Sequence, residues 1–548
     1  MRVAMGRVLE HLTPVAITVA EPDIPILQDR QTQIRFHFYM DKCIGCHACE
    51  VACSEQNGLP VDTQWRRVGE VQSGTYPDTR HFFLSSGCNH CLEPSCLLGC
   101  PVNAYEKNNK GIVLHLDDVC IGCGYCTWNC PYGVPVFQKD RKIVTKCDLC
   151  VHRLEDQRMP ACVEACPVGA IQIEEVDVET IRQTTLTEGV GPDMPTPEIT
   201  LPTTKITLPK GMTVEDFQKV NRGVLKPEEP HTPLIILTVL SQLGFGGFLV
   251  VFIVDLLRTL GAGAERIGNA LGWVSPALLV VVGLSLNVSI LHLGRPAYAM
   301  RAVRNWKTSW LSREIIGLSA FATAALLYSL ILFFTEGLQW ISMASLGGNG
   351  MRLGLGGLTV VFGVVGIYCS SMLYRVPARP AWNSIKTTID FFEVALILGP
   401  AFYTVAVSIA VLIHRDNTQW LGLTLRWAAL VSILAYMIKN MKNAYYIRHW
   451  RQGDVYELYA SARLRLEHFW RFRFVRNLLG GLSMMLLLMV GLQISRGGTL
   501  LIQATIALLL LTIVSFMNRY LFFVTVVPRN IPGNLMTAFY DETEGSLA

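Results

Sequence analysis

Cysteine spacing is the feature of this chain that most constrains its fold. Sixteen of the seventeen cysteines lie within residues 43–166, in four groups that each end in C-x₃-C. The groups are Cys43, Cys46, Cys49 and Cys53; Cys88, Cys91, Cys96 and Cys100; Cys120, Cys123, Cys126 and Cys130; and Cys147, Cys150, Cys162 and Cys166. Three groups continue into a proline, at Pro101, Pro131 and Pro167. The first third of the chain therefore has to fold around its sulfur atoms.

The run C-x₂-C-x₂-C-x₃-C-P is typical of 4Fe–4S ligands, and its fourth cysteine serves a different cluster from the first three. Sixteen thiolates at four per cubane account for four clusters with none left over. The spacing therefore predicts four 4Fe–4S clusters and a role in electron transfer. The seventeenth cysteine, Cys369, lies in an apolar stretch and is expected to be a small buried hydrophobe.

Two other uses of cysteine fit the pattern less well. A secreted disulfide framework would require a signal peptide, and Glu10, His11 and Pro14 interrupt any apolar segment near the N-terminus. Structural zinc prefers two C-x₂-C pairs separated by a longer loop. Only the fourth group, with eleven residues between Cys150 and Cys162, has that form.

Composition divides the chain into five parts. Residues 1–32 form an N-terminal extension, and the polar, cysteine-rich residues 33–178 form the predicted four-cluster 4Fe–4S domain. Residues 179–230 are dominated by Pro, Thr and acidic residues without periodicity, which predicts an extended linker. Residues 231–528 are mostly apolar, and residues 529–548 form a C-terminal tail.

The apolar part contains eight stretches, each near the length that crosses a bilayer as a helix. They are approximately Leu234–Leu257, Trp273–Leu293, Ile315–Phe334, Leu353–Leu373, Phe391–Ile413, Leu421–Ile438, Leu478–Ile494 and Leu500–Phe523. Glycines at Gly244, Gly246, Gly247, Gly354, Gly356 and Gly357 predict close helix–helix contacts. The expected fold class is an α+β four-cluster ferredoxin-like domain followed by an all-α eight-helix transmembrane bundle.

Loop charge predicts the orientation of this bundle. With eight spans, the even-numbered loops share one side with the cluster domain, and they carry seventeen Lys and Arg residues against five in the odd-numbered loops. The positive-inside rule places that side in the cytoplasm. Basic loops that form a docking surface for the cluster domain are the alternative reading.

Five ionisable residues at span edges are candidates for function, because charge in a membrane is costly. They are His292, Glu314, Asp390, Glu393 and Arg519, all on the predicted cluster side. Snorkelling or helix capping is the simpler reading of Asp390 and Arg519. Quinol oxidation releases two protons with two electrons, so His292 and Glu314 form a candidate quinone site. Haem is not expected, because His231, His292 and His414 are the only histidines at span ends and offer no axial pair.

Residues 37–178, with CIGCHACEVAC and DDVCIGCGYCTWNCPYGVP, resemble the electron-transfer subunit of DMSO-reductase-type molybdoenzymes. Residues 231–525, with HTPLIILTVLSQLGFGGF, LHLGRP and LSREI, resemble the eight-helix anchor of the same enzymes. The two subunits are fused in this chain. The resemblance implies a separate molybdopterin-containing catalytic subunit, the membrane quinone pool and the lipid bilayer as partners. No nucleic-acid partner is expected.

The resemblance also implies the ligand sets and the quinone site. The four quartets would be Cys43, Cys46, Cys49 with Cys166; Cys147, Cys150, Cys162 with Cys53; Cys88, Cys91, Cys96 with Cys130; and Cys120, Cys123, Cys126 with Cys100. Menaquinol or another quinone would bind at His292 and Glu314.

The resemblance is compatible with three alternative functions. The first is a relay from quinol to the catalytic subunit in anaerobic respiration, and the second is a cytoplasm-facing, sulfite dehydrogenase-type complex that delivers electrons to quinone. The third is a membrane tether without a quinone site. The best-known member of the family faces the periplasm, whereas the loop charges predict a cytoplasmic cluster domain on the bacterial or archaeal inner membrane.

Overall fold

The computed structural model describes residues 31–188, 191–192, 194–219, 225–261, 268–338, 348–414, 419–492 and 498–530. Nearly all of the predicted N-terminal extension and C-terminal tail lie outside these residues. The side chain of His414 also lies outside the described part of the chain.

Four small sheets form the frame of the cluster domain. β1 (Thr32–Tyr39) lies between β8 (Ile171–Asp177), antiparallel, and β9 (Lys205–Thr207), parallel. β2 (Arg67–Ser73) lies between β3 (Arg80–Ser86) and β10 (Phe217–Lys219), both antiparallel to it. Two hairpins complete the frame: β4 (Tyr105–Lys107) with β5 (Val113–His115), and β6 (Val136–Gln138) with β7 (Ile143–Thr145).

Short helices follow or lie within the cysteine groups. They are α1 (Ala48–Gln56), α2 (Ser95–Gly99), α3 (Tyr125–Asn129), α4 (Val151–Glu155) and α5 (Ala161–Glu164). Apolar strand residues and cysteines share one core, in which Phe38, Val71 and Leu84 are almost fully buried. The sheets thus pack against the cysteine loops and hold them together.

The segment predicted as an extended linker does not have that structure. Its first residues belong to a helix, α6 (Val178–Glu188), and further on it supplies β9 and β10 to the two three-stranded sheets. Thr203 donates a 2.7 Å hydrogen bond to the carbonyl of Asn89, between two predicted ligands. The prediction failed because three-residue strands are stabilised by partners elsewhere in the chain and leave no periodicity of their own.

The described residues of the membrane half include eight helices long and apolar enough to cross a bilayer, numbered here as spans 1 to 8. They are Thr232–Thr259, Ala270–His292, Trp310–Gly337, Gly348–Tyr374, Ile385–Ile409, Gly422–Gln452, Trp470–Gly491 and Gly498–Val524. A 3₁₀ segment, Pro296–Val303, lies between spans 2 and 3, and a helix, Tyr456–Arg463, lies between spans 6 and 7. The predicted fold class, a ferredoxin-like domain followed by an eight-helix membrane half, is confirmed.

Glycine contacts explain part of the helix packing. A side-chain carbon at Gly246 would lie 2.2 Å from the carbonyl oxygen of Ala395, so spans 1 and 5 touch backbone to backbone. Gly244, Gly247 and Gly356 also face neighbouring side chains closely, as predicted. Gly354 and Gly357 do not make such contacts, and that part of the prediction is wrong.

Candidate cluster centres and the membrane-edge site

The first C-x₂-C loop of each of the four cysteine groups adopts the same backbone shape. Their third residues, Gly45, His90, Gly122 and Leu149, all have positive φ angles, of 68°, 41°, 68° and 60°. This shape turns backbone N–H groups toward sulfur: His90 donates to Cys88 Sγ at 3.5 Å, and Leu149 donates to Cys147 Sγ at 3.4 Å. Successive inward-facing N–H groups make a concavity suited to an anion. The loops are therefore built to receive an anionic centre.

Two cavities are lined by complete cysteine quartets. One is lined by Cys88, Cys91, Cys96 and Cys130. The other is lined by Cys43, Cys46, Cys49 and Cys166. In each, three cysteines come from one group and the fourth comes from a distant group, in the pairing that the family resemblance implies.

The remaining cysteines also gather in two sets. Cys126 lies within electrostatic range of Cys100, Cys120 and Cys123. Cys53 lies within the same range of Cys150 and Cys162, and Cys147 interacts with Cys53. The folded chain therefore brings together the same four sets of sulfur atoms that were expected.

These sets fit a cubane better than a single ion. No three His, Cys, Asp or Glu side chains among the described residues converge closely enough to hold one metal ion. All the cysteines are free, and burial raises the pKa of Cys53 and of Cys91 to about 12. Isolated thiolates are unfavourable there, so deprotonation has to be coupled to metal binding.

Buried cations surround the sulfur atoms, and cysteine spacing gave no indication of them. Arg66 lies within electrostatic range of Cys49, Cys53 and Cys162, and it donates a 3.2 Å hydrogen bond to Ser85. Lys146 is also buried and donates to the carbonyl of Cys147 at 2.8 Å. Such charges offset the negative charge of thiolate-ligated centres.

One cysteine set lies directly against the membrane half. The backbone N–H of Gly294 donates to the carbonyl of Gly122 at 3.1 Å, and that of Arg295 donates to Ile121 at 3.0 Å. The Arg295 guanidinium reaches the carbonyl of Asp117 at 2.8 Å. The loop after span 2 therefore binds the segment that carries Cys120.

The same loop binds the segment that carries Cys100. Asn305 Nδ2 donates to the carbonyl of Cys100 at 2.8 Å. Thr308 and Ser309 donate to the carbonyls of Leu98 and Gly99, at 2.7 and 2.8 Å. Residues 294–309 thus hold both segments that contribute to the set of Cys100, Cys120, Cys123 and Cys126.

His292 and Glu314 lie at the two ends of this docking loop. His292 ends a 3₁₀ turn, and its Nδ1–H donates to the carbonyl of Ser289, which leaves the lone pair of Nε2 available. Glu314 lies in the second turn of span 3 and is 3% exposed. One of its carboxylate oxygens is bonded to Ser370, and Oε1 has no hydrogen-bond partner among the described residues. No described hydrogen bond or ion pair joins His292 to Glu314.

Aromatic side chains connect Glu314 to the cluster domain. Tyr125, adjacent to Cys126, and Tyr374 both interact electrostatically with the Glu314 carboxylate. Trp128, on the same short helix as Tyr125, packs on His231 and Tyr374 with ring centroids 5.0 and 5.8 Å apart. Sequence reasoning missed these residues because only the tertiary structure brings them to the membrane edge.

The other three edge residues lie in internal contacts. Lys442 binds Asp390 at 2.7 Å and also binds Glu393, while Lys386 binds Asp390 from one turn earlier. Arg519 donates to Gln242 at 3.0 Å and lies 3.9 Å from the centre of the Phe391 ring. The charges of Asp390 and Glu393 are therefore balanced by lysines inside the bundle, whereas Arg519 contacts an amide and an aromatic ring and forms no ion pair among the described residues.

Comparison with known proteins agrees with this architecture. A family model described as DMSO reductase anchor subunit (DmsC) matches residues 228–524, more than half of the sequence. The protein belongs to this family. A second family model, 4Fe-4S dicluster domain, matches residues 79–176. The membrane half is thus a DmsC-type anchor, and it is fused to an iron–sulfur electron-transfer domain.

Three of the relatives of this DmsC-family protein each match about a quarter of the chain. A component of the anaerobic dimethyl sulfoxide reductase of Escherichia coli strain K12 is 36% identical over 154 residues, which cover 27% of this chain and 75% of the relative. A sulfite dehydrogenase component of Allochromatium vinosum is 37% identical over 161 residues, covering 25% and 67%. The formate dehydrogenase iron-sulfur subunit of Wolinella succinogenes is 34% identical over 187 residues, covering 29% and 92%.

Proposed function

We propose that this chain relays electrons between a membrane quinone and a separate molybdopterin-containing catalytic subunit. The quinone would bind at His292 and Glu314, and four 4Fe–4S clusters would carry the electrons. The observation that carries the proposal is the docking of residues 294–309 onto the segments of Cys100 and Cys120. One loop thereby joins the candidate quinone residues to the set of sulfur atoms at the membrane.

The two candidate quinone residues suit proton transfer. A quinol loses two electrons and two protons when it becomes a quinone, so each hydroxyl needs an acceptor. The free Nε2 of His292 accepts one hydrogen bond, and the unpaired Oε1 of Glu314 accepts another. Ser370, which is bonded to the other carboxylate oxygen, would keep this carboxylate in place.

Each cubane, when bound, supplies a one-electron centre held by four thiolates. The four sets would be those implied by the family resemblance, with Cys100, Cys120, Cys123 and Cys126 nearest the membrane. Arg66 and Lys146 would stabilise the added charge at the other sets. The catalytic partner is inferred from the names of the relatives, and it would bind the cluster domain away from the membrane.

Replacement of Glu314 tests the quinone site. In Glu314→Gln we expect cluster reduction by a quinol analogue to slow by about 100-fold or more, because a proton acceptor is lost. Stopped-flow absorbance of the clusters is the measurement, with dithionite reduction as a check that the clusters are intact. Glu467→Gln, the same change at an exposed site on the cluster side, is the control. Equal rates in both variants would leave only a membrane tether.

We also propose that the cluster domain faces the cytoplasm. In the odd-numbered loops, Arg352 binds Asp255 at 3.0 Å and Glu336 at 2.9 Å, so it is an internal ion-pair partner and not a loop charge. On the cluster side Arg379, Lys386, Lys442 and Arg463 are also ion-paired, so the support for this orientation remains the sequence count of seventeen against five. Several of the seventeen, such as Arg295, also serve the docking surface.

A protease site tests this orientation. The protease site is best inserted at the turn of Lys210 and Gly211, because this turn is exposed. Some other positions in residues 179–230, such as Pro202, are buried. In sealed vesicles of known sidedness, cleavage only from the cytoplasmic face is expected. Cleavage from the periplasmic face would place the domain on the opposite side.

A cytoplasmic domain also favours the second candidate function, delivery of electrons to quinone from a sulfite-oxidising partner. Similarity to the sulfite dehydrogenase component supports this direction. The test is whether dithionite-reduced clusters are reoxidised by quinone faster than oxidised clusters are reduced by quinol.

A further inference from the structure

A large cavity lies between spans 5, 6, 7 and 8, at the end of the membrane half that carries the cluster domain. Its volume is about 380 Å³, and residues of all four spans and of the loop between spans 6 and 7 line it. None of its lining residues belongs to the docking loop or to the candidate quinone site. The cavity therefore needs an explanation of its own.

The lining is strongly cationic. Six basic residues face the cavity together with one carboxylate, Asp390. The six are Lys386, Lys439, Arg465, Arg473, Arg476 and Arg519. Lys386 binds Asp390, and within the described part of the chain none of the other five forms an ion pair with a carboxylate. Five positive charges thus line one cavity without an anionic partner.

Several of these cations also have unused hydrogen-bond donors. Lys439 is 5% exposed and forms no hydrogen bond or ion pair among the described residues. The Nε–H groups of Arg465 and Arg473 are buried, and no residue that the structure describes accepts a hydrogen bond from them. Burial of unpaired charge is costly, so the arrangement is expected to be stable only when an anion occupies the cavity.

The cavity also borders the lipid-facing surface. Gly481 lines it, is exposed, and has no atom within 4 Å of the place where a side-chain carbon would lie. The neighbouring Leu478 is 62% exposed and Leu482 is also exposed, as is Met441 on span 6. An apolar surface therefore continues outward from a cationic cavity.

We propose that this cavity binds the phosphate headgroup of an anionic phospholipid. Arginine guanidinium groups suit phosphate because they present parallel N–H donors, and lysine adds a compact charge. The acyl chains would lie along Leu478, Leu482 and Met441. A quinone headgroup is neutral and would leave the five cations unbalanced. Free phosphate shares the headgroup chemistry but would make no use of the apolar mouth.

Lipid bound to the purified full-length protein is the first measurement. After extraction in a mild detergent, native mass spectrometry is expected to show about one tightly held anionic phospholipid per chain at this site. In nanodiscs, phosphatidylglycerol is expected to bind far more tightly than phosphatidylcholine. Equal retention of the two lipids would overturn the proposal.

Paired variants locate the site. Lys439→Gln with Arg473→Gln removes two cavity charges and is expected to weaken phosphatidylglycerol binding about 30-fold. The control, Arg448→Gln with Arg471→Gln, removes two exposed charges outside the lining and is expected to bind as the native protein does. An equal loss in the control would show non-specific surface attraction and refute the site.

Two further experiments distinguish a lipid phosphate from inorganic phosphate and check that the variant is folded. Gly481→Leu keeps every charge but narrows the mouth, so lipid binding is expected to fall at least about tenfold while cluster absorbance is unchanged. Binding of inorganic phosphate in place of lipid, insensitive to Gly481→Leu, would overturn the lipid assignment.

Discussion

The backbone N–H of Gly294 donates a 3.1 Å hydrogen bond to the carbonyl of Gly122. Gly122 lies between Cys120 and Cys123, and Gly294 lies two residues after His292. A side-chain carbon at Gly294 would lie 2.1 Å from the carbonyl oxygen of Lys142. This contact, possible only without side chains, joins a predicted ligand loop to the candidate quinone site.

Replacement of Gly294 is expected to move the ligand loop of Cys120 and Cys123 away from the candidate quinone site. In Gly294→Ala the loop has to shift, and the rate of quinol-dependent cluster reduction should fall by up to about 100-fold. Stopped-flow absorbance measures the rate, and the iron content should not change. Gly283→Ala, in span 2 where a side-chain carbon meets nothing within 4 Å, is the control. A native rate in Gly294→Ala would show that this contact is not needed.

Removal of Cys100 tests the assignment of the membrane-proximal cluster. The iron content of Cys100→Ala should fall from about sixteen to about twelve per chain, because one cubane is lost. Quinol-dependent reduction of the remaining clusters should stop, whereas dithionite should still reduce them. Cys369→Ala removes the buried cysteine of span 4 and should retain all the iron. Quinol reduction that continues without this cluster would place the entry point elsewhere.

Trp128 anchors the cluster domain on the membrane half. Its ring contacts His231, Tyr374 and Trp382, the last with a centroid distance of 5.4 Å. Trp128→Ala should lower the free energy of unfolding by about 3–5 kcal/mol, since a large buried side chain leaves a cavity. Denaturant unfolding in detergent measures this change. Trp427→Ala, which truncates a largely exposed side chain, should have a small effect, and equal losses would contradict the anchoring role.

His231 makes part of the stability depend on pH. Burial lowers the pKa of His231 below its usual 6.5, with Arg379 acting in the same direction and Glu228 and Glu229 opposing it. The unfolded chain therefore takes up this proton at a higher pH than the folded chain does. Stability should fall as the pH drops from about 6.5 through the lower folded pKa, by about 1.4 kcal/mol per unit of pKa shift.

Comparison with a variant isolates the contribution of His231. The unfolding temperatures of the native protein and of His231→Gln are measured at pH 7.5 and at pH 5.5. The fall in unfolding temperature between the two pH values should be smaller in the variant. Identical differences would show that His231 does not titrate differently on folding.

The amino-acid sequence alone was enough to predict the class of cofactor, the eight spans and the two-part architecture. The reason is that these features depend on local spacing and on the length of apolar runs. The proposal of a quinone site at His292 and Glu314, made because ionisable residues at membrane edges are rare, stays a prediction. The prediction of an extended linker was wrong because the pairing of β9 with β1, and of β10 with β2, is invisible locally.

Only the tertiary structure decided which groups lie together. Cys100 and Cys120 meet the membrane half through carbonyl groups bound by residues 294–309, and backbone carbonyls leave no signature in a sequence. The cavity at Lys439 and Arg473 likewise depends on four helices that are far apart along the chain. The spacing of residues predicts which ligand a segment can bind. Packing between distant segments decides where the sites for electrons, protons and lipids lie relative to that ligand.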